Sequence, residues 1–185
     1  MAVKPPVYNP PFNVLRVSHL ELGVTDLAAS RAFYVDCLGL LVTDETKDAL
    51  YLRGIEERNH HSIVLRETGK PLCHALGYKV ASEKDLDLAA KWFEAKGLPA
   101  RFHEAPFQGR TLSARDVRGM PLEFYAKMEQ RPSALQKYGL HRGARIQRID
   151  HLNCFTPDVQ ASNDFYNELG FRVTEYTETD DPNPK

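Results

Sequence analysis

Long apolar runs are missing from this chain. No stretch approaches the roughly 18 residues needed to cross a bilayer as a helix, so a membrane-spanning role is excluded for any helix. Excess charge is missing too: the formal net charge is −1, and no basic stripe alternates with aromatics. Nucleic acid is therefore a poor partner. The N-terminal Met1–Pro11 holds one lysine and four prolines and has no apolar signal core, which reads as an extended arm and a cytoplasmic protein. Cysteine is scarce: Cys37, Cys73 and Cys154 are odd in number and without CxxC spacing, which predicts reduced, buried thiols rather than a disulfide frame. What remains is ordinary globular composition, 42% apolar and 26% charged over 185 residues.

The chain does contain an internal repeat. His19-Leu20 recurs as His151-Leu152, Asp26 as Asp158, Ser30 as Ser162, and Phe33-Tyr34 as Phe165-Tyr166, all 132 positions apart. One residue is then lost, and Leu38-Gly39-Leu40 matches Leu169-Gly170-Phe171.

Each copy reads physically. Val17–Val24 alternates as a strand. Asp26 caps a helix by accepting from backbone N–H groups just beyond it. Leu27, Ser30, Tyr34, Cys37 and Leu38 then share one helical face, and Gly39 closes the helix. Three strands follow at 41–44, 49–53 and 62–66. A weaker copy begins with a strand over His74–Val80. Ser82-x-x-Asp85 opens its helix in the manner of a capping box. Leu86, Ala89, Trp92, Phe93 and Lys96 make the packing face, Gly97 closes it, and strands follow at 100–104, 110–116 and 122–126.

The predicted fold class is thus α+β, built from paired βαβββ modules. The predicted organisation is an arm over 1–14, a domain of two modules over 15–128, a polar linker over 129–146 with a helical turn near Ser133–Tyr138, and a second domain opening at 147–185. That last stretch reads as one βαβ unit that breaks off, with Thr177–Lys185 as an acidic loop. The expectation is the front part of a longer enzyme.

The stretch Arg148-Ile149-Asp150-His151-Leu152-Asn153, then Thr156-Pro157-Asp158-Val159, Phe165-Tyr166 and Leu169-Gly170-Phe171-Arg172-Val173, closely resembles the type I extradiol ring-cleaving dioxygenases of the vicinal oxygen chelate superfamily. The nearest subgroup is the homoprotocatechuate (3,4-dihydroxyphenylacetate) 2,3-dioxygenases. Val24-Thr25-Asp26-Leu27, Tyr51-Leu52-Arg53, Val64-Leu65-Arg66 and the run from Asp116 to Tyr125 extend the resemblance through the first modules.

The resemblance implies Fe(II), in some members Mn(II), held by two histidines and a glutamate, with open positions for a catechol and O2. It implies His151 as the first ligand and Asn153 as a neighbour of bound oxygen or substrate. On a strand these two share a face. The other ligands would lie beyond this sequence, so the chain alone is expected to be inactive. A homo-oligomer, tetrameric in the family, is implied as well.

A competing reading makes the chain a stand-alone module akin to glyoxalase or bleomycin-resistance proteins. Its site would be His19, His74 and Glu123 converging on a metal, a set that otherwise reads as vestigial. His60-His61 are expected to point to opposite faces of a strand and so not to share one ion. Trp92 and Phe93 read as packing residues.

Overall fold

The computed structural model describes residues 2–177 and 180. Its elements follow the predicted order: β1 (Val14–Val24), α1 (Leu27–Arg31) running into a π-helical stretch (Ala32–Cys37), β2 (Leu41–Glu45), β3 (Ala49–Arg53) and β4 (Ile63–Glu67). The second module is β5 (Leu72–Val80), α2 (Glu83–Ala95), β6 (Ala100–Ala105), β7 (Gly109–Arg115) and β8 (Pro121–Tyr125). A short 3-10 turn (Tyr138–Leu140) and α3 (Val159–Glu168) complete the described elements.

All eight strands form one sheet in the order β2-β3-β4-β1-β5-β8-β7-β6. In each module the first strand pairs in parallel with the last: β1 with β4, and β5 with β8. The modules join through the antiparallel pair β1·β5, which puts an approximate twofold axis at the seam. Leu20 faces Leu76 at its centre, with His19 opposite Gly77 on one side and Glu21 opposite Ala75 on the other.

The helix starts are set by the predicted caps. Asp26 accepts from the Ala29 N–H at 2.8 Å, and Asp158 from the Ala161 N–H at 2.9 Å. Ser82 accepts from the Asp85 N–H, and buried Asp85 in turn takes the Asn13 N–H at 2.8 Å, tying the arm to α2. Gly39 has φ +80°, as a helix terminator requires.

The helices cover one face of the sheet. Phe12, Leu76, Leu86, Phe93 and Phe124 form the larger core under α2, and Val35, Leu40, Leu50, Leu52 and Leu65 the smaller one under α1. The opposite face curves into a cleft, because residues of β1, β3, β4, β6 and β8 line the same cavity.

Four expectations are corrected. The helix after Asp26 does not keep α-helical register. Leu38 bonds back five residues to the Phe33 carbonyl, and the widened turn buries Val35 while leaving Cys37 outside. Cys37 and Cys154 are exposed and Cys73 is half-buried, so the thiols are free but not buried.

Among the described residues, 147–177 form no strand on either side of α3. A strand needs a neighbour's N–H and C=O groups, and these segments have none in register. Helix α3 lies instead on the main core, with Phe165 and Leu169 both buried there. His60 and His61 are both buried, at 0% and 2% exposure. They precede β4 in an irregular turn, where strand alternation does not apply.

The segment 129–146 wraps the first module rather than bridging freely. The Ala144 N–H reaches the Cys37 carbonyl at 2.8 Å, and the Ile55 N–H reaches the Ile146 carbonyl at 3.1 Å. Its helical turn falls at Tyr138–Leu140, just past the predicted place. Thr177 and Asp180 of the expected acidic loop are exposed; the rest of that loop lies outside the described residues.

Candidate functional site

The cleft is organised by one row across three strands. His19 on β1 pairs with Gly77 on β5, which pairs with Glu123 on β8. Strands two apart are separated by about 10 Å, so the outer side chains meet only if the middle position is empty. Gly77 leaves it empty: a Cβ there would overlap the His19 ring. His19 Nε2 therefore reaches Glu123 Oε2 at 3.3 Å.

Glu123 is the hub of the cleft. Gln108 Nε2 donates to its Oε2 at 3.3 Å, and His103 Nε2 stands 3.6 Å from its Oε1. Burial alone would raise the Glu123 pKa. The hydrogen bond and attraction from His19, then His103 and Gln108, override burial and hold the carboxyl below its ordinary range.

Behind this row, Arg66 is paired with Glu21. The His61 ring lies edge-on to His19 with centroids 5.2 Å apart, and its Nδ1 is 3.2 Å from His60 Nδ1, so one ring donates to the other. Burial, then repulsion from His19, His60 and Arg66, pushes the His61 pKa down to about 2, and the ring is neutral. Phe107 holds φ +65°, uncommon for a non-glycine, and stacks on His60 at 3.8 Å. The cavity lined by His19, Glu21, His61, Arg66, His103, Gln108 and Glu123 is about 160 Å³.

Of the three residues suggested as a metal set within residues 15–128, the structure joins two. His74 sits at a β-bulge, where the β5 register steps from Ala75 to Cys73. It lines a neighbouring cavity of about 440 Å³ with Arg101, Ser113 and Arg115, touching the cleft only through Glu123. Nε2 of His74 and Nδ1 of His19 are buried without a protein partner. Among the described residues, no three His, Cys, Asp or Glu side chains converge as a metal site.

His151 is in different surroundings. Its side chain is 84% exposed, with Asp150 Oδ2 at 3.1 Å from Nδ1. Asn153 is also exposed, while Leu152 between them packs on the core, so 151–153 keep the alternation of a strand without being one.

Sequence reasoning missed His103, Gln108, Glu21 and Arg66 as cleft residues. His103 and Gln108 come from β6 and the turn after it, where only the pairing of β6 with β7 and β7 with β8 brings them to Glu123. Glu21 carried a usable signal: it lies two residues from His19 on β1 and so shares its face.

The chain's similarities fit this architecture. The metapyrocatechase of Pseudomonas sp. (strain CF600) is 30% identical, with 91% of this chain and 59% of that protein covered. The manganese-dependent 2,3-dihydroxybiphenyl 1,2-dioxygenase of Geobacillus genomosp. 3 is 25% identical over 88% of this chain and 56% of its own. The crystal structure of homoprotocatechuate 2,3-dioxygenase from Arthrobacter globiformis superposes with a TM-score of 0.85 at 35% identity, covering 91% of this chain and 53% of that one. The Brevibacterium fuscum enzyme gives 0.86 at 35%, covering 92% and 54%.

The chain spans little more than half the length of these relatives. No helix among the described residues is long and apolar enough to cross a membrane. The model of the glyoxalase/bleomycin resistance protein/dioxygenase superfamily matches residues 16–124 and 148–184, and the chain belongs to that superfamily.

Proposed function

We propose that this chain is part of an extradiol catechol dioxygenase acting on 3,4-dihydroxyphenylacetate, to give a muconic semialdehyde in the breakdown of aromatic compounds. The observation that carries the reading is the 35% identity to homoprotocatechuate 2,3-dioxygenases, sustained over 92% of this chain at a TM-score of 0.86. The Brevibacterium enzyme was solved in complex with 3,4-dihydroxyphenylacetate, which supports that substrate over the smaller catechols.

His151 is then one ligand of an Fe(II) or Mn(II) centre, with Asn153 beside it. Among the described residues the donor set does not fit a metal: His151 has only Asp150 next to it, and no three donors converge. A single imidazole leaves the facial triad two ligands short. The remaining ligands come from protein outside this sequence, and no chemical step is assigned to these residues alone. The eight-stranded sheet serves as the support on which the ligand-bearing stretch is carried. In this reading the protein is cytoplasmic and works as a homo-oligomer.

The test joins residues 1–176 to the C-terminal half of the Brevibacterium enzyme. The chimera is expected to bind iron and cleave 3,4-dihydroxyphenylacetate, and His151→Ala in it to lose both metal and turnover. This chain alone, with one equivalent of Fe(II), is expected to give no ring cleavage. Turnover by the isolated chain, or a His151→Ala chimera with full iron content, would refute the assignment.

The alternative is a self-contained metal- or ligand-binding module. One observation favours it, the buried His19–Glu123 contact in the cleft. It requires His74 as a third donor, and His74 faces a different cavity. Calorimetric titration of Zn2+ or Mn2+ into the chain decides it: uptake abolished by His19→Ala and by Glu123→Ala would establish the module.

A further inference from the structure

Helix α3 is held on three sides, and one of them is the N-terminal arm. Gln160, Asn163, Asp164 and Asn167 lie at spacings of three, four and seven, a single face of the helix. Every one of them touches the arm. Gln160 Oε1 accepts from the Ala2 N–H at 2.7 Å, and its Nε2 donates to the Ala2 carbonyl at 3.0 Å. Asn163 Nδ2 lies 3.5 Å from the same carbonyl. Asp164 pairs with Lys4 at 3.0 Å, and the buried Asn167 donates to the Pro5 carbonyl at 3.2 Å. At the end of the helix, a Cβ on Gly170 would stand 3.2 Å from Pro10.

The other sides of α3 face the sheet core. Phe165 packs on Trp92 of α2, with ring centroids 5.6 Å apart. Tyr166 donates to Asp116, which also takes the backbone N–H groups of Arg118 and Met120 in the turn before β8. The arm ends in Phe12, fully buried against Trp92 and Phe124. Arm, α3 and α2 thus close a ring around Trp92.

We propose that this polar face of α3 is a recognition surface for the chain's own proline-bearing arm, and that the arm is a latch. Closed, it keeps α3 on the core and fixes the His151 stretch that leads into the helix. The chemistry suits the purpose. The arm contacts are mostly to backbone groups, and Pro5, Pro6, Pro10 and Pro11 restrict the free arm, so less conformational freedom is lost on binding. An apolar helix face alone would hold α3 against the core but would not fix its outer side. The consequence for His151 rests on the proposed function; the latch itself does not.

The test uses the whole chain and its single tryptophan. A variant lacking residues 2–9 keeps Phe12 in the core. In it, amide exchange across 159–168 is expected to speed up at least tenfold and Trp92 emission to shift to the red, while β1, β5 and β8 amides keep their protection. A synthetic peptide of residues 2–9 added in trans should restore both signals. The double variant Gln160→Leu with Asn167→Leu keeps the arm and should reproduce the faster exchange.

Unchanged exchange in α3 for both variants overturns the proposal. So does uniform acceleration across the sheet, which would make the arm an inseparable part of the global fold. Protection that appears only at concentrations where the chain dimerises overturns the intrachain latch. None of these readouts involves ring cleavage. A failed latch therefore leaves the His151 reading standing, and a failed chimera leaves the latch standing.

Discussion

His19 and Glu123, 104 positions apart in sequence, meet at 3.3 Å above a glycine that belongs to the strand between them. The contact depends on three strands being in exact register, and it defines the cleft floor. It also makes Gly77 a position where size, not backbone conformation, decides what is tolerated.

Gly77→Ala should therefore destabilise the chain by about 1–3 kcal/mol, the usual range for forced overpacking. His19→Ala removes the ring that the new methyl would strike. The double variant should be more stable than the sum of the two single changes allows, by at least about 0.5 kcal/mol in a double-mutant cycle. Urea unfolding midpoints measure all three, and strict additivity would contradict the overlap.

Two cleft groups give stability a pH dependence, His61 from about pH 6.5 downward and Glu123 only below 4.5. His61 stays neutral when folded down to about pH 2, whereas the unfolded ring takes up a proton near 6.5. Between those values the unfolded state binds more protons, so acidification destabilises the fold by up to about 1.4 kcal/mol per pH unit. His61→Gln should flatten that slope between pH 6.5 and 4.5.

Glu123 acts lower. Its folded pKa lies beneath its ordinary 4.5, so its contribution is complete above that value and is lost as pH falls through the folded one. Glu123→Gln should change the acid limb below pH 4.5 and leave the limb above it as it was. Unfolding curves across the range separate the two groups.

Gly39 and Gly119 both have positive φ, +80° and +84°, but differ in surroundings. A Cβ at Gly119 meets nothing within 4 Å, whereas one at Gly39 runs into the Arg142 carbonyl of the wrapping segment. Gly119→Ala should cost about 1 kcal/mol, the left-handed penalty alone. Gly39→Ala should cost visibly more and should loosen residues 142–146, read by their amide exchange. Equal costs would mean the crossing is not tight.

His151→Ala should leave the unfolding midpoint of this chain within about 0.5 kcal/mol of the parent, since the ring is exposed and, among the described residues, bonded only to its neighbour. A large loss of stability would give His151 a structural role and weaken its reading as a ligand.

Much of the fold was legible because it is local and periodic. Asp26, Ser82 and Asp158 announced three helix starts, and alternation in 17–24 and 74–80 with short strand-like runs elsewhere placed the eight strands of the sheet to within a few residues. The register that puts Gly77 between His19 and Glu123 was not legible, since it is fixed by pairing between distant strands. His60 and His61 defeated the alternation rule because they stand in a turn, and Cys37 defeated the helical face because five-residue hydrogen bonding widens that helix. The arm's partner was hidden as well: no sequence pattern links Gln160, Asn163, Asp164 and Asn167 to residues 2–5, which they meet only in the fold.

The seam between the modules carries a last consequence. At its centre Leu20 faces Leu76, and on either side a large polar residue of one module faces a small residue of the other: His19 opposite Gly77, Glu21 opposite Ala75. Two identical copies meeting head to tail would bring bulk against bulk on both sides and close the cleft. Divergence is thus a geometric condition for a working concavity, with one copy supplying reactive groups and the other supplying vacancy. A gene duplication that never drifted at these four positions would have yielded a filled sheet with nowhere to put a ligand.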